Sequence, residues 1–232
     1  RVGLSPEWGV GGRADLKLTV QGRSGDPRWR LTGRAHAPAF AGHAADSLSL
    51  VLSGAAHRIE LEDARFDLGG GSLRAAGAIE SAPAEFPDSL TATALLRWLR
   101  DAGNWRAHAA ANGLPVAPLA SLAPAIAGWD GSVSGTLALS GSPARPVADV
   151  DAHADQFGWR DIRAERVDLR AHYADGRFQA QDLRASMQHV VSTAHGSVPL
   201  KLALGVRPEV PDEPVSGGID IPAGDLQVLP FL

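Results

Sequence analysis

The chain has 232 residues, a formal net charge of -4 and a hydrophobic fraction of 44%, enough apolar matter to fold around, which excludes wholesale disorder. Its 26 glycines and 16 prolines are spread over the whole length and exclude a long-helix bundle or coiled coil, so a fold rich in strands and turns is expected. The 22 Lys and Arg interleave with 26 Asp and Glu and leave no basic stripe for a phosphate backbone, so no nucleic-acid partner is expected; the absence of cysteine excludes disulfides and thiolate chemistry.

Short runs that alternate apolar and polar residues recur from the N-terminal end onward, and a period of two places each kind on its own strand face. In Ala14–Val20, Leu16, Leu18 and Val20 share one face while Asp15, Lys17 and Thr19 share the other. Leu48, Leu50 and Leu52 follow the same rule, as do Ile59 with Leu61 and Phe66 with Leu68. Between Phe86 and Ala127 the pattern changes. Leu90–Leu99 fits neither period, Trp105–Ala111 alternates weakly as a strand ending at Asn112-Gly113, and Pro118–Ala127 is the best helix candidate, bounded by prolines and by Gly128. Alternation resumes at Leu137 and Leu139, Val167 and Leu169, Phe178 and Ala180, and Leu200, Leu202 and Leu204. Asp175-Gly176, between Val167–Tyr173 and Arg177–Asp182, is the two-residue turn of an expected hairpin. The longest apolar stretch, Leu114 to Gly128, is interrupted by Pro115, Pro118 and Pro124, so no segment is expected to span a bilayer. The opening at Arg1 and the apolar ending Leu229-Pro230-Phe231-Leu232 read as those of a piece of a longer protein.

Sliding the chain against itself by about 119 residues superposes Gly12 on Gly131, Leu18 on Leu137, Gly22 on Gly141, Pro27 on Pro146, Leu50 on Leu169, Arg58 on Arg177, Asp63 on Asp182 and Gly77 on Gly196, with no gap. Roughly a dozen identities fall over about 70 positions, and similar pairs such as Phe40/Trp159, Leu48/Val167, Ile59/Phe178 and Ile79/Val198 fall on apolar strand faces. The expected organisation is one repeat copy over 1–85, a connecting segment with a short helix over 86–127, and a second copy over 128–232.

Chemistry-bearing patterns are weak. The histidines are not spaced for a helical metal site, and Asp149, Asp151, His153 and Asp155, alternating along one strand, read as its wet face before they read as a cation site. Gly9–Ala14 formally fits a dinucleotide fingerprint but opens a strand, where the motif needs a helix. Gly131–Gly135 has its serines one place off a nucleophile elbow. Trp8, Trp29, Trp98, Trp105, Trp129 and Trp159 are scattered, and capping of a hydrophobic layer accounts for them as well as a sugar-stacking platform does.

The run Gly131–Pro146, with Gly131-Ser132-Val133-Ser134-Gly135 and Leu139-Ser140-Gly141, followed by Val147–Ala154 and Val167–Gly176, resembles the repeating unit of the TamB proteins and the wider AsmA-like group. In that unit a glycine-started strand ends in a Leu-Ser-Gly-like step and is followed by a proline, an extended strand, then strand, turn and strand. The earlier copy, from Gly12–Gly22 through Pro27 to Gly77, resembles it more loosely and lacks the Ser-Gly step. The resemblance implies an all-β fold, an elongated curled antiparallel sheet with a greasy groove and one or two short helical segments. It implies a periplasmic part of a protein anchored in the inner membrane, associated with carrying phospholipid towards the outer membrane and with outer-membrane protein assembly beside a TamA-like barrel partner. The family has no catalytic residues to carry over, so neither enzymatic activity nor a cofactor is expected.

On that reading the groove is lined by Leu16, Leu18, Val20, Leu48, Leu50, Leu52, Ile59, Leu61, Phe66, Leu68, Leu137, Leu139, Val167, Leu169, Phe178, Leu200, Leu202 and Leu204. Strands of about six to eight residues, stacked about a dozen deep, would give a trough about 60 Å long. Its rivals are a structural or adhesive β-solenoid or sandwich with a closed core, and a carbohydrate-binding sandwich that uses the tryptophans. Filling separates them: a closed core leaves no continuous apolar strip open to solvent, and a conduit does.

Overall fold

The computed structural model describes residues 11–23, 26–40, 43–55, 58–80, 103–118, 128–159, 162–187, 190–202 and 208–222. They form β1 (Gly11–Arg23), β2 (Asp26–Phe40), β3 (His43–Ala44), β4 (Ser47–Ala55), β5 (Arg58–Leu68), β6 (Gly71–Ile79) and β7 (Trp105–Pro115), then β8 (Trp129–Ser142), β9 (Arg145–Trp159), β10 (Ile162–Ala174), β11 (Arg177–Met187), β12 (Val190–Pro199) and β13 (Ser216–Asp220). All join one open sheet, antiparallel throughout, in which each strand lies beside its neighbours in sequence; β3 alone stands off the path, paired to the end of β2. The all-β expectation holds, as a single sheet whose ends are β1 and β13.

Local chemistry explains the hairpins. Asp175 and Gly176 have φ of +51° and +72°, the pair of positive values that a two-residue hairpin turn needs to match strand twist, and Tyr173 pairs with Phe178 across it. Gly22 and Gly141 each pair with a proline, Pro27 and Pro146, and have φ of +108° and +96°. A side chain at Gly141 would be strained by that backbone and would run into the Arg145 carbonyl.

The repeat extends to backbone register. The shift that carries Leu18 onto Leu137 also carries β2 onto β9 and β5 onto β11 with identical bounds. It carries Leu18↔Leu31 onto Leu137↔Val150, Gly33↔Leu50 onto Ala152↔Leu169, and Leu61↔Gly77 onto Ala180↔Gly196. The irregularities repeat too. An extra residue in β2 near Ala37 (φ +45°) recurs in β9 at Gln156 (φ +51°), and the breaks between Val51/Leu52 and Leu61/Ala64 recur between Arg170/Ala171 and Ala180/Leu183.

Those breaks are β-bulges with a purpose legible in the sequence. In Ile59-Glu60-Leu61-Glu62-Asp63-Ala64-Arg65-Phe66 the alternation slips by one residue at Glu62-Asp63, and Phe178-Gln179-Ala180-Gln181-Asp182-Leu183 slips at Gln181-Asp182. A strand without a bulge would turn Ala64, Phe66 and Leu68 to the charged face. The bulge absorbs the extra residue and keeps every apolar side chain on one side.

Several expectations are corrected. The principal strands run from 9 to 15 residues rather than six to eight. Each is therefore about 30–50 Å long, while the strands on the path, about 4.8 Å apart, extend the sheet about 53 Å. β7 continues through Asn112-Gly113 to Pro115, with a bulge there, and bridges β6 to β8 as a full member of the sheet. Leu200 and Leu202 lie beyond β12, which stops at Pro199: the Leu200 N–H donates to the Gly176 carbonyl (2.8 Å) and the Leu202 N–H to Tyr173 Oη (2.9 Å), drawing the segment onto the β10–β11 hairpin instead of extending a strand. Leu204, Leu90–Leu99 and, beyond Pro118, the helix expected over Pro118–Ala127 lie outside the described residues.

Deleting Asp63 leaves Ile59-Glu60-Leu61-Glu62-Ala64-Arg65-Phe66 in unbroken alternation and is expected to give a folded protein without the bulge, whereas deleting Arg65, in the regular part of the strand, turns Phe66 and Leu68 to the charged face and is expected to lower the urea midpoint or abolish soluble expression. The Asp63→Ala variant keeps the residue count and is expected to stay within about 0.5 kcal/mol of the parent.

Candidate functional site, an uncovered apolar sheet face

Residues opposite each other in an antiparallel pair share a face, so the registers trace rows across the sheet. One row reads Leu18, Leu31, Leu52, Leu61, Gly77, Ala107, Leu139, Ala148, Tyr173, Phe178 and Val198 from β1 to β12. The next reads Leu16, Gly33, Leu50, Ala64, Ala75, Ala109, Leu137, Val150, Ala171, Ala180, Gly196 and Gly217. A third passes through Leu48, Phe66, Leu73, Ala111, Leu169, Leu183 and Ile219, and a fourth through Val20, Trp29, Gly54, Ile59, Ile79 and Trp105. None of these positions is charged, and the one hydroxyl, that of Tyr173, is occupied by the Leu202 N–H. The opposite face carries rows such as Ala76, His108, Ala138, Asp149, His172, Gln179 and Ser197.

The expected lining residues on β1, β4, β5, β8, β10 and β11 thus share one face; of the eighteen, Leu200 and Leu202 lie off the strands. Sequence reading missed Trp29 and Leu31, although Arg28-Trp29-Arg30-Leu31-Thr32 alternates plainly. It missed Leu183 because the bulge hides its phase, and Leu73 and Trp105 because alanines dilute the alternation around them; Ile79, which the repeat put on an apolar strand face, lies there opposite Ile59.

What distinguishes this face from a core is that, among the described residues, no second layer packs on it. Among the described residues the buried apolar side chains are Ala45, Leu68, Leu114, Val116, Ala164, Ala171 and Tyr173, with Pro38, Pro143 and Pro199, and of the expected lining only Leu68 is among them. Leu68 belongs to a small cluster with Ala45 and Leu114, against which Phe66, Leu73 and Ala111 pack. Elsewhere the leucines are half-buried by lateral neighbours alone: Leu16 and Leu50 close over Gly33 from either side, so a Cβ there would meet Leu16 Cδ2 at 2.9 Å. At the ends of the sheet one neighbour is missing, and Leu18 is 62% and Ile219 75% exposed.

Trp29 lies over Gly54, and Trp105 opposes Gly141, near one end of the strands. Trp129 pairs with Trp159 at the other end and meets Phe157 edge-on at 5.3 Å. These tryptophans are not assembled into one platform, and Trp8 and Trp98 lie outside the described residues.

The polar face is laced with exposed ion pairs, among them Arg30 with Glu62 (2.6 Å), Arg163 with Asp130 (2.9 Å) and Arg166 with Asp168 (2.9 Å). Each contributes about 0–1 kcal/mol, so solvation is their main effect. Asp149, Asp151, His153 and Asp155 share this face, but Asp149 is held by His172 (2.7 Å) and Asp151 by Arg170 (3.4 Å), and no metal-binding group converges among the described residues. Ser134 accepts the Gly113 N–H (2.8 Å), a contact that pins the β7 bulge to β8. Among the described residues no helix is long and apolar enough to cross a membrane. Comparison with protein-family models, curated proteins and solved structures finds no match.

Leu50→Ala is expected to cost under about 1.5 kcal/mol in urea titration, because only lateral contacts are lost. A closed core would lose about 2–5 kcal/mol at such a position. On the polar face, hydrogen bonds from Ser47 Oγ and Arg65 hold the Asp67 carboxylate below its ordinary value of 3.8. A depressed folded value favours the native state above the ordinary carboxylate range, and that contribution is lost as pH falls through the lowered value. NMR titration should find Asp67 below 3.8, and Ser47→Ala should move it back up.

Proposed function

We propose that this chain is a segment of a periplasmic hydrophobic conduit of the TamB-like kind, along which phospholipid acyl chains pass between the inner and outer membranes. The observation that carries the reading is the set of rows without a charged residue that cross the sheet and on which no second layer packs among the described residues.

The rows run perpendicular to the strands, along the long repeat direction, so a tail lying on one meets a new apolar side chain about every 4.8 Å. Each methylene kept from water is worth about 0.8 kcal/mol, which makes an aqueous gap prohibitive and an even path nearly free of barriers. Evenness is what these rows offer. Leucine, alanine and glycine succeed one another without a convergent set of polar groups, the feature that marks a selective pocket. A charged headgroup finds no partner on this face and would ride outside it. The bulges at Glu62-Asp63 and Gln181-Asp182 bend their strands near the middle, as curling a sheet into a trough requires. A role in outer-membrane protein assembly would run through a TamA-like barrel partner and other parts of a longer protein.

The test is lipid carriage. Recombinant chain purified without detergent should retain phospholipid detectable by mass spectrometry. Leu50→Asp and Leu169→Asp, which place a charge in neighbouring rows, should together abolish it while the far-UV circular dichroism of the sheet persists. Lipid-free parent protein, or unchanged lipid in the folded double variant, would overturn the proposal.

A further inference from the structure

We propose that the outer edge of β1 is an acceptor site for an antiparallel strand with the residue pattern of β7. The inference rests on the repeat and is independent of lipid carriage.

β1 is the repeat equivalent of β8, and β8 has on its corresponding edge a partner that β1, among the described residues, does not. That partner is β7, with Trp105 opposite Gly141, Ala107 opposite Leu139, Ala109 opposite Leu137 and Ala111 opposite Gly135. The shift places Gly22, Val20, Leu18 and Leu16 at the same four positions. The backbone matches as well as the order, since Gly22 and Gly141 share a positive φ and both strands hold the same register to the strand on their other side. On the polar side Arg106, His108 and Ala110 would oppose Gln21, Thr19 and Lys17, with no like charges facing each other.

The exposure of β1 measures what is missing. Leu16, Leu18 and Val20 are 66%, 62% and 59% exposed, whereas Leu137 and Leu139, flanked by β7, are only partly so. An open edge of this length is usually protected by a proline, a bulge or a charge turned to the apolar side. Over Arg13–Arg23 there is no proline, and every charge before Arg23, namely Arg13, Asp15 and Lys17, alternates onto the polar face. The occupant is therefore an extended segment with small apolar residues at alternate positions and an aromatic residue opposite Gly22, which adds a strand and carries the apolar rows onward.

The absence of native cysteine permits a register test. The Leu18→Cys protein is mixed with synthetic peptides of sequence 104–116 bearing Ala107→Cys, Ala109→Cys or Ala111→Cys. Disulfide formation should favour the Ala109→Cys peptide by at least about tenfold, because a two-residue slip separates the Cα atoms beyond the roughly 7 Å that a disulfide spans. Val20→Cys should shift the preference to the Ala107→Cys peptide, and circular dichroism establishes that each variant is folded. Equal rates for all peptides, no cross-linking to any of them in a folded variant, or protein–protein dimers of the Leu18→Cys variant that the peptide does not suppress would each overturn the assignment, the last by showing that a second copy takes the edge.

Discussion

The structure depends on one constraint, that the period-two phase of apolar residues stays in step across every strand of the sheet. A slip of one residue inverts all later side chains in a strand, so a row that remains apolar from β1 to β12 needs each register fixed. Where the sequence itself slips, at Glu62-Asp63 and Gln181-Asp182, a bulge takes up the extra residue and restores the phase. That the same correction occurs at repeat-equivalent places, with the same neighbours in register, marks it as part of the unit.

A single layer distributes its energy differently from a sandwich. Backbone hydrogen bonds and lateral contacts between adjacent strands hold it together, and each strand meets mainly the ones before and after it in the chain. Stability then approximates a sum of neighbour terms, as in other repeat architectures, and the described residues form no central core whose loss would unfold everything. The buried residues are accordingly few, and at two of the places where they occur a loop or terminal segment folds back: Ala45 beside Leu68, and the chain after β12 over Tyr173.

An uncovered apolar face is expensive to keep in water, and soluble chains rarely expose one of this extent without a use. The proposed use, shelter for acyl chains, matches its two main properties. It is continuous along the repeat axis, and it lacks polar anchors that would hold a ligand in place. The same repetition that makes the face continuous also leaves β1, among the described residues, with an unpaired edge whose complement is displayed within the molecule, at β7 against β8. Face and edge are two consequences of one modular plan.

Composition and alternation determined the class and the face. Glycine and proline spread along the chain excluded long helices; Leu16-Lys17-Leu18 and its counterparts fixed which side chains point together; and Asp175-Gly176 fixed its own hairpin, because these signals act over a few residues. Leu200 and Leu202 show the limit: they alternate as well as any strand, but hydrogen bonds to Gly176 and Tyr173, distant in sequence, draw them off the sheet. The bulge phase at Leu183, the membership of the alanine-rich β7 and the lack of a covering layer among the described residues were likewise decided in three dimensions. A period-two pattern says that one face is apolar; whether anything packs on that face depends on where distant segments go.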